Sequence, residues 1–229
     1  MEWMESNTPP KLGCEKCNSE DGFLKKPREP LGFELTLCDC RILRERINEM
    51  IWKQKNAGIW KRMSKERYPF GGYEFNHIEF EKMREIVLQG AWVFLTGGAG
   101  TGKTYTAVIL AKIAIAFEKT VLFENVASAL DGLRPSADEQ KRAEFKKRLI
   151  NTEVLVLDDI GHEKASEWVR EQLYLIVNQR WQSKRQTIFT SNFPLEDLKI
   201  RISSAVYSRV KGESLEINFD SDGKDRRLT

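Results

Sequence analysis

The stretch Gly97–Thr104, GGAGTGKT, constrains this chain more than any other. It fits the phosphate-loop pattern G-x-x-x-x-G-K-[ST], with Gly97, Gly102, Lys103 and Thr104 at the defining positions. Glycines let the backbone curl until the N–H groups of Gly98, Ala99, Gly100, Thr101 and Gly102 face phosphate oxygens. Lys103 brings a mobile positive charge to the β- and γ-phosphates, and Thr104 offers a hydroxyl to Mg²⁺. Both flanks agree with this reading. AWVFLT (Ala91–Thr96) reads as a buried strand, and KTYTAVILAKIAIAF (Lys103–Phe117) as an apolar helix whose positive N-terminal end meets the phosphates. Tyr105, one residue into that helix, closes the segment expected to touch the nucleotide. The pattern implies binding of ATP or another nucleoside triphosphate.

A second signature is EVLVLDDIG (Glu153–Gly161), four apolar residues followed by Asp158 and Asp159. A buried strand that delivers carboxylates at its C-terminal edge suits a Walker B motif beside the phosphate loop. Asp158 is expected to hold Mg²⁺ with Thr104, directly or through water, and Asp159 to polarise the attacking water. Around these signatures the chain alternates. Asn76–Gly90 reads as a helix, Thr120–Asn125 as a strand, and 126–151 as charged helical material. Ala165–Lys184 reads as a helix with Trp168, Leu173, Ile176 and Val177 in the core. Gln186–Phe193 is a strand with Thr190, Ser191 and Asn192 at its end. This alternation predicts an α/β fold, a three-layer parallel sheet with helices on both faces. YPFGGY (Tyr68–Tyr73) reads as a linker, which divides the chain into a module of residues 1–70 and an ATPase domain of residues 71–229.

All four cysteines lie in the first module, as Cys14-x2-Cys17 and Cys38-x-Cys40. The chain has no run of about 18 apolar residues and no apolar leader, so a cytoplasmic location is expected. In a reducing compartment two such pairs read as four thiolate ligands of a structural Zn²⁺ or, less in keeping with the spacing, as unliganded thiols. Metal binding would then supply the folding energy of a small module. His77 and His162 read as surface or capping residues. Arg41–Tyr68 reads as a basic amphipathic helix broken near Ala57-Gly58. It is either a solvated face packed on the ATPase domain or a face for a partner protein or nucleic-acid backbone. The net charge of +3 is too small to decide. KRAEFKKRL (Lys141–Leu149) has the same two readings, a track for a phosphate backbone or an exposed helix face. No tight aromatic cluster marks a base-stacking platform; Trp52, Trp60 and Trp181 are scattered.

Taken in order, the phosphate loop, VLVLDDIG, LYLIVNQRW, TIFTSNF and RISSAVYSRV resemble the AAA+ helicase loaders of the DnaC/DnaI type. Transposition helper ATPases of the IstB type are close relatives. The resemblance covers nearly the whole chain, and it implies roles for three further residues. By resemblance, Asn192 is the sensor-1 residue that aligns water and γ-phosphate. Arg209, in YSRV, is the arginine finger supplied to a neighbour's ATP. Arg227, in GKDRR, is a second phosphate sensor. Asp159 stands where many AAA+ proteins have Glu, which suits slow hydrolysis, and the chain leaves no room for a full C-terminal lid; the loaders share both traits. The function implied by the resemblance is an ATP-switched loader. It would grip a replicative hexameric helicase through residues 1–70, bind single-stranded DNA through the ATPase core, and self-associate through its ATP sites. Three alternatives stand beside it. A transposase helper on duplex DNA would not be expected to carry the cysteine module. A small-molecule kinase would need a lid and an acceptor pocket. A zinc-finger protein with a degenerate ATPase core would not need intact Lys103, Asp158 and Asn192.

Overall fold

The computed structural model describes residues 23–27, 33–37, 58, 77–135, 138–163 and 166–219. The chain divides into two compact units, Met1–Lys53 and Gln54–Thr229, whereas the sequence places the boundary near residue 70. The first unit contains an antiparallel hairpin of β1 (Phe23–Pro27) and β2 (Phe33–Leu37), with Phe23 opposite Leu37 and Pro27 opposite Phe33. This hairpin lies between the two cysteine pairs in sequence. Cys14, Cys17, Cys38 and Cys40 are outside the described residues, as are Arg227 and nearly all of Arg41–Tyr68.

The second unit begins with α1 (His77–Gln89), which stops at Gly90, a residue at φ +69 that a Cβ would disfavour. Strand β3 (Trp92–Thr96) leads through the phosphate loop into α2 (Lys103–Ala116). There follow β4 (Val121–Asn125), α3 (Val126–Gly132) and α4 (Glu139–Asn151). The material expected to be helical between 126 and 151 is thus two helices, each with its own side-chain cap. Asn125 Oδ1 accepts from the Ala127 and Ser128 N–H groups, and Asp138 Oδ1 from those of Gln140 and Lys141. Strand β5 (Val154–Asp158), α5 (Glu167–Gln182) and β6 (Gln186–Ser191) come next. Strand β6 ends two residues short of the expected Phe193. The short α6 (Leu198–Arg201), α7 (Ser204–Glu213) and β7 (Ser214–Asn218) complete the unit.

All five strands of this sheet are parallel, in the order β4-β5-β6-β3-β7. Alternate residues of the strands face opposite sides, which yields two cores. On one side Val93, Leu95, Val154, Val156 and Ile188 pack against α2 and against Val87 of α1. On the other, Trp92, Phe94, Leu155, Leu157 and Phe189 pack against the apolar faces of α3, α4, α5 and α7. Trp92 and Phe94 both meet Phe189, with ring centroids 5.6 and 6.3 Å apart. The expected core residues Leu173, Ile176 and Val177 are buried, while Trp168 is partly buried against the edge of this core.

At the end of the sheet opposite the phosphate loop, Arg180 is fully buried. Its guanidinium donates to the carbonyls of Leu149, Ile150, Thr152, Glu153 and Gln186, and to Thr187 Oγ1. One side chain thereby ties the ends of α4 and α5 to the starts of β5 and β6. Burial, reinforced by nearby Arg185, pushes its pKa down to about 9.

Candidate nucleotide site

The connections leaving β3 and β6 run to opposite sides of the sheet. The crevice beyond their C-terminal ends is therefore where an open α/β sheet receives a ligand. Thr96, Asp158 and Ser191 end their strands there, and Thr96 Oγ1 fastens the next turn by donating to the Phe193 carbonyl at 2.9 Å.

The phosphate loop leaves β3 through Gly97, Gly100 and Gly102 at φ 144, 79 and 105, and Gly102 caps α2. These left-handed turns wrap the segment from Gly97 to Thr104 around the N-terminus of α2 (Tyr105 follows within the helix). Thr101 Oγ1 donates to the Gly98 carbonyl at 2.9 Å and braces the loop. Lys103 is buried, and its ammonium donates to the Gly97 and Gly98 carbonyls, both at 2.6 Å. A cation held inside a ring of backbone on a helix N-terminus fits an anionic polyphosphate. Burial raises the Tyr105 phenol above its ordinary range.

Carboxylate and hydroxyl groups gather next to the loop. Asp158 is buried, and its Oδ1 accepts from Thr104 Oγ1 and from Thr190 Oγ1, each at 2.9 Å. Thr190 Oγ1 also accepts from the Asp159 N–H at 2.9 Å, while its carbonyl accepts from the Ile160 N–H. An oxygen-only pair such as Thr104 and Asp158 suits Mg²⁺, which takes one or two protein oxygens and completes its shell with phosphate and water. Among the described residues no group of three or more His, Cys, Asp or Glu forms a further metal centre.

Asp159 sits in the left-handed region at φ 69, a strained place for a non-glycine residue. There its side chain turns toward β6, and Asn192 Nδ2 lies 3.4 Å from Asp159 Oδ1. The structure also adds a residue that the sequence leaves outside the site. His162 Nε2 lies 2.9 Å from Asn192 Nδ2 and 3.3 Å from Asp159 Oδ1. Nothing in the local sequence around His162 announces contact with Asn192, just past the end of β6. Just beyond His162, Glu163 Oε2 accepts from the Gly161 N–H, and its buried Oε1 has no hydrogen-bond partner among the described residues. Burial, ahead of repulsion from Asp159, holds the Glu163 carboxyl above the usual range.

Arg209 belongs to a different surface. On α7 it turns toward α5, with Nε donating to Asn178 Oδ1 at 2.8 Å and Nη2 to Tyr174 Oη at 3.4 Å. The Tyr174 and Trp181 rings lie 5.0 and 5.3 Å from its guanidinium carbon.

Residues 80–210 match the family of IstB-like ATP binding proteins. Replicative helicase loader DnaC of Buchnera aphidicola subsp. Baizongia pistaciae is 26% identical over 179 residues, 72% of this chain and 73% of that protein. Replicative helicase loader DnaI of Bacillus subtilis is 30% identical over 145 residues, 62% of this chain and 45% of that protein. A crystal structure of the DnaC helicase loader superposes with a TM-score of 0.56 at 27% identity, covering 64% of this chain and 92% of that one. The chain thus spans less than half the length of the Bacillus relative. The parallel sheet with its phosphate loop is the P-loop AAA+ fold of these structures.

Proposed function

This chain belongs to the family of IstB-like ATP binding proteins, and from that premise we propose that it is an ATP-switched loader of a replicative DNA helicase. The observation that carries the proposal is the convergence of Lys103, Thr104, Asp158, Asp159 and Asn192 at one end of the sheet, in a chain whose relatives are named helicase loaders. Lys103 and the loop N–H groups would bind the phosphates. Thr104 and Asp158 would hold Mg²⁺, which supplies charge neutralisation on the β- and γ-phosphates. Asp159 would orient the attacking water and Asn192 the γ-phosphate. Asp159 carries one methylene fewer than Glu, which accords with slow turnover and with ATP used as a switch. Arg209 would serve a neighbouring subunit. Its bonds to Asn178 of α5 and to the Ala205 carbonyl of α7 support this, because they hold the guanidinium in one direction.

Single-stranded DNA is the second proposed ligand. Arg142 and Lys146 of α4 line a cavity of about 330 Å³ together with Trp168, Leu133 and Pro135. Cations beside an aromatic ring suit a phosphate backbone with unstacked bases. The first module is proposed to bind Zn²⁺ and the helicase. Its hairpin supports this, because β1 and β2 pair antiparallel in the stretch of sequence between the two cysteine pairs.

Size-exclusion chromatography with light scattering on this protein and its host's replicative helicase tests the proposal, with ATP, ADP and the Lys103→Ala variant. A stoichiometric complex that responds to nucleotide and requires residues 1–70 is the expected result. The absence of a complex together with ATP-dependent filaments on duplex DNA would overturn it in favour of a transposition helper.

A further inference from the structure

The hydrolytic roles of Asp159 and Asn192 leave His162 unused, yet among the described residues its imidazole touches both members of that pair. Nε2 lies 2.9 Å from Asn192 Nδ2 and 3.3 Å from Asp159 Oδ1. The ring is itself held in place. Its centroid is 4.8 Å from that of Phe193, whose ring also carries the Arg201 guanidinium at 3.3 Å. Arg201 in turn donates to the carbonyl of Gly161, the residue before His162. The histidine is therefore fixed from the β6 side by Phe193 and from α6 by Arg201, and its polar edge faces Asp159 and Asn192.

We propose that His162 is a positioning residue: its Nε2 accepts from Asn192 Nδ2 and holds that γ-phosphate-sensing amide, which also donates to Asp159 Oδ1, in register with the water-orienting carboxylate. The inference rests on the ATPase reading of this site. The physical need for this bridge, from His162 through Asn192 to Asp159, is local. Asp159 has a short side chain on a strained backbone, and its contact with Asn192 at 3.4 Å is long for a hydrogen bond. An amide left to that contact alone would sample several rotamers. Misplacement of a reacting group by about 1 Å costs on the order of a hundredfold in rate.

The test compares three full-length variants. His162→Phe keeps a ring against Phe193 and removes the polar edge. His162→Gln keeps a side-chain oxygen able to accept from Asn192 Nδ2. His162→Ala removes both. The expected result is a fall in kcat of about tenfold or more in His162→Phe and His162→Ala. His162→Gln should recover much of the loss, and fluorescent-ADP affinity should stay within about twofold in all three. Wild-type turnover by His162→Phe, or parallel losses of kcat and affinity, would overturn the bridge. A wild-type protein without measurable turnover would count against the ATPase reading instead. The bridge is then read by NMR, where only His77 and His162 contribute imidazole signals. Movement of one of these signals in both Asp159→Asn and Asn192→Ala supports the bridge, and movement in neither overturns it.

Discussion

Thr190 Oγ1 donates to Asp158 Oδ1 across neighbouring strand ends, and the same hydroxyl accepts from the Asp159 N–H. One threonine thus orients the buried carboxylate and the backbone of the next residue, whose own conformation is strained. Replacing it with valine keeps the shape and removes both bonds. Thr190→Val should cost about 1–3 kcal/mol in urea denaturation, since a part-buried N–H loses its acceptor. It should also weaken the Mg²⁺-dependent part of nucleotide binding, measured as the difference between titrations with Mg²⁺ and with EDTA. Equal loss in both titrations would count against a metal role for Asp158.

Arg180 is expected to be among the most sensitive positions for stability. Arg180→Met leaves five carbonyls and one hydroxyl without their shared donor, and should cost about 3–5 kcal/mol in urea denaturation. Arg180→Lys should recover little of this, because an ammonium offers three donors at a point and no planar fork. Near-complete recovery by lysine would show that charge, and not geometry, is what this end of the sheet requires.

Glu163 gives a pH dependence with a definite sign. Its folded pKa lies above the unfolded value, because burial disfavours the charged form. The native state therefore keeps the proton longer. This contribution to stability is complete below the ordinary carboxylate range and is lost as pH rises through the folded value. The difference in Tm between Glu163→Gln and wild type should be small at low pH and grow in the variant's favour toward neutrality. A difference that is constant with pH would mean that the buried Oε1 is not the charged atom.

Arg209 offers a test of assembly. If its guanidinium serves the neighbouring ATP site, Arg209→Ala and Lys103→Ala should each be inactive alone and partly active when mixed. In the mixture an intact loop on one subunit meets an intact finger on the next. Activity that does not recover on mixing would place Arg209 in its own subunit's chemistry, or in none. Arg209→Ala also loses its bond to Asn178 and the neighbouring rings, so a modest fall in stability of about 1 kcal/mol is expected as well.

What the sequence discloses depends on how local each feature is. The phosphate loop is legible because its geometry is encoded in consecutive residues, and the run Val154–Leu157 before Asp158 is legible because a doubly covered strand is apolar throughout. Strand β7 is not, because Ser214–Asn218 is short, polar and half exposed, and becomes a strand only by pairing with β3. His162 escapes for a related reason, since Asn192 reaches it from just past the end of β6, thirty residues on. Arg180 reads as one charged residue on an amphipathic helix. Only the ring of carbonyls at the ends of α4, β5 and β6 explains how it can be buried. Trp168 reads as core, but lies at its margin, where it can line a cavity.

The register of β3 has a consequence for the order of synthesis. Val93 pairs with Ile188 on one side and Trp92 with Ser214 on the other, so the strand that launches the phosphate loop is flanked only by segments made much later. On the ribosome the loop emerges early without either neighbour to hold it. The nascent chain should gain affinity for nucleotide late and abruptly, once the segment through Asn218 has cleared the exit tunnel.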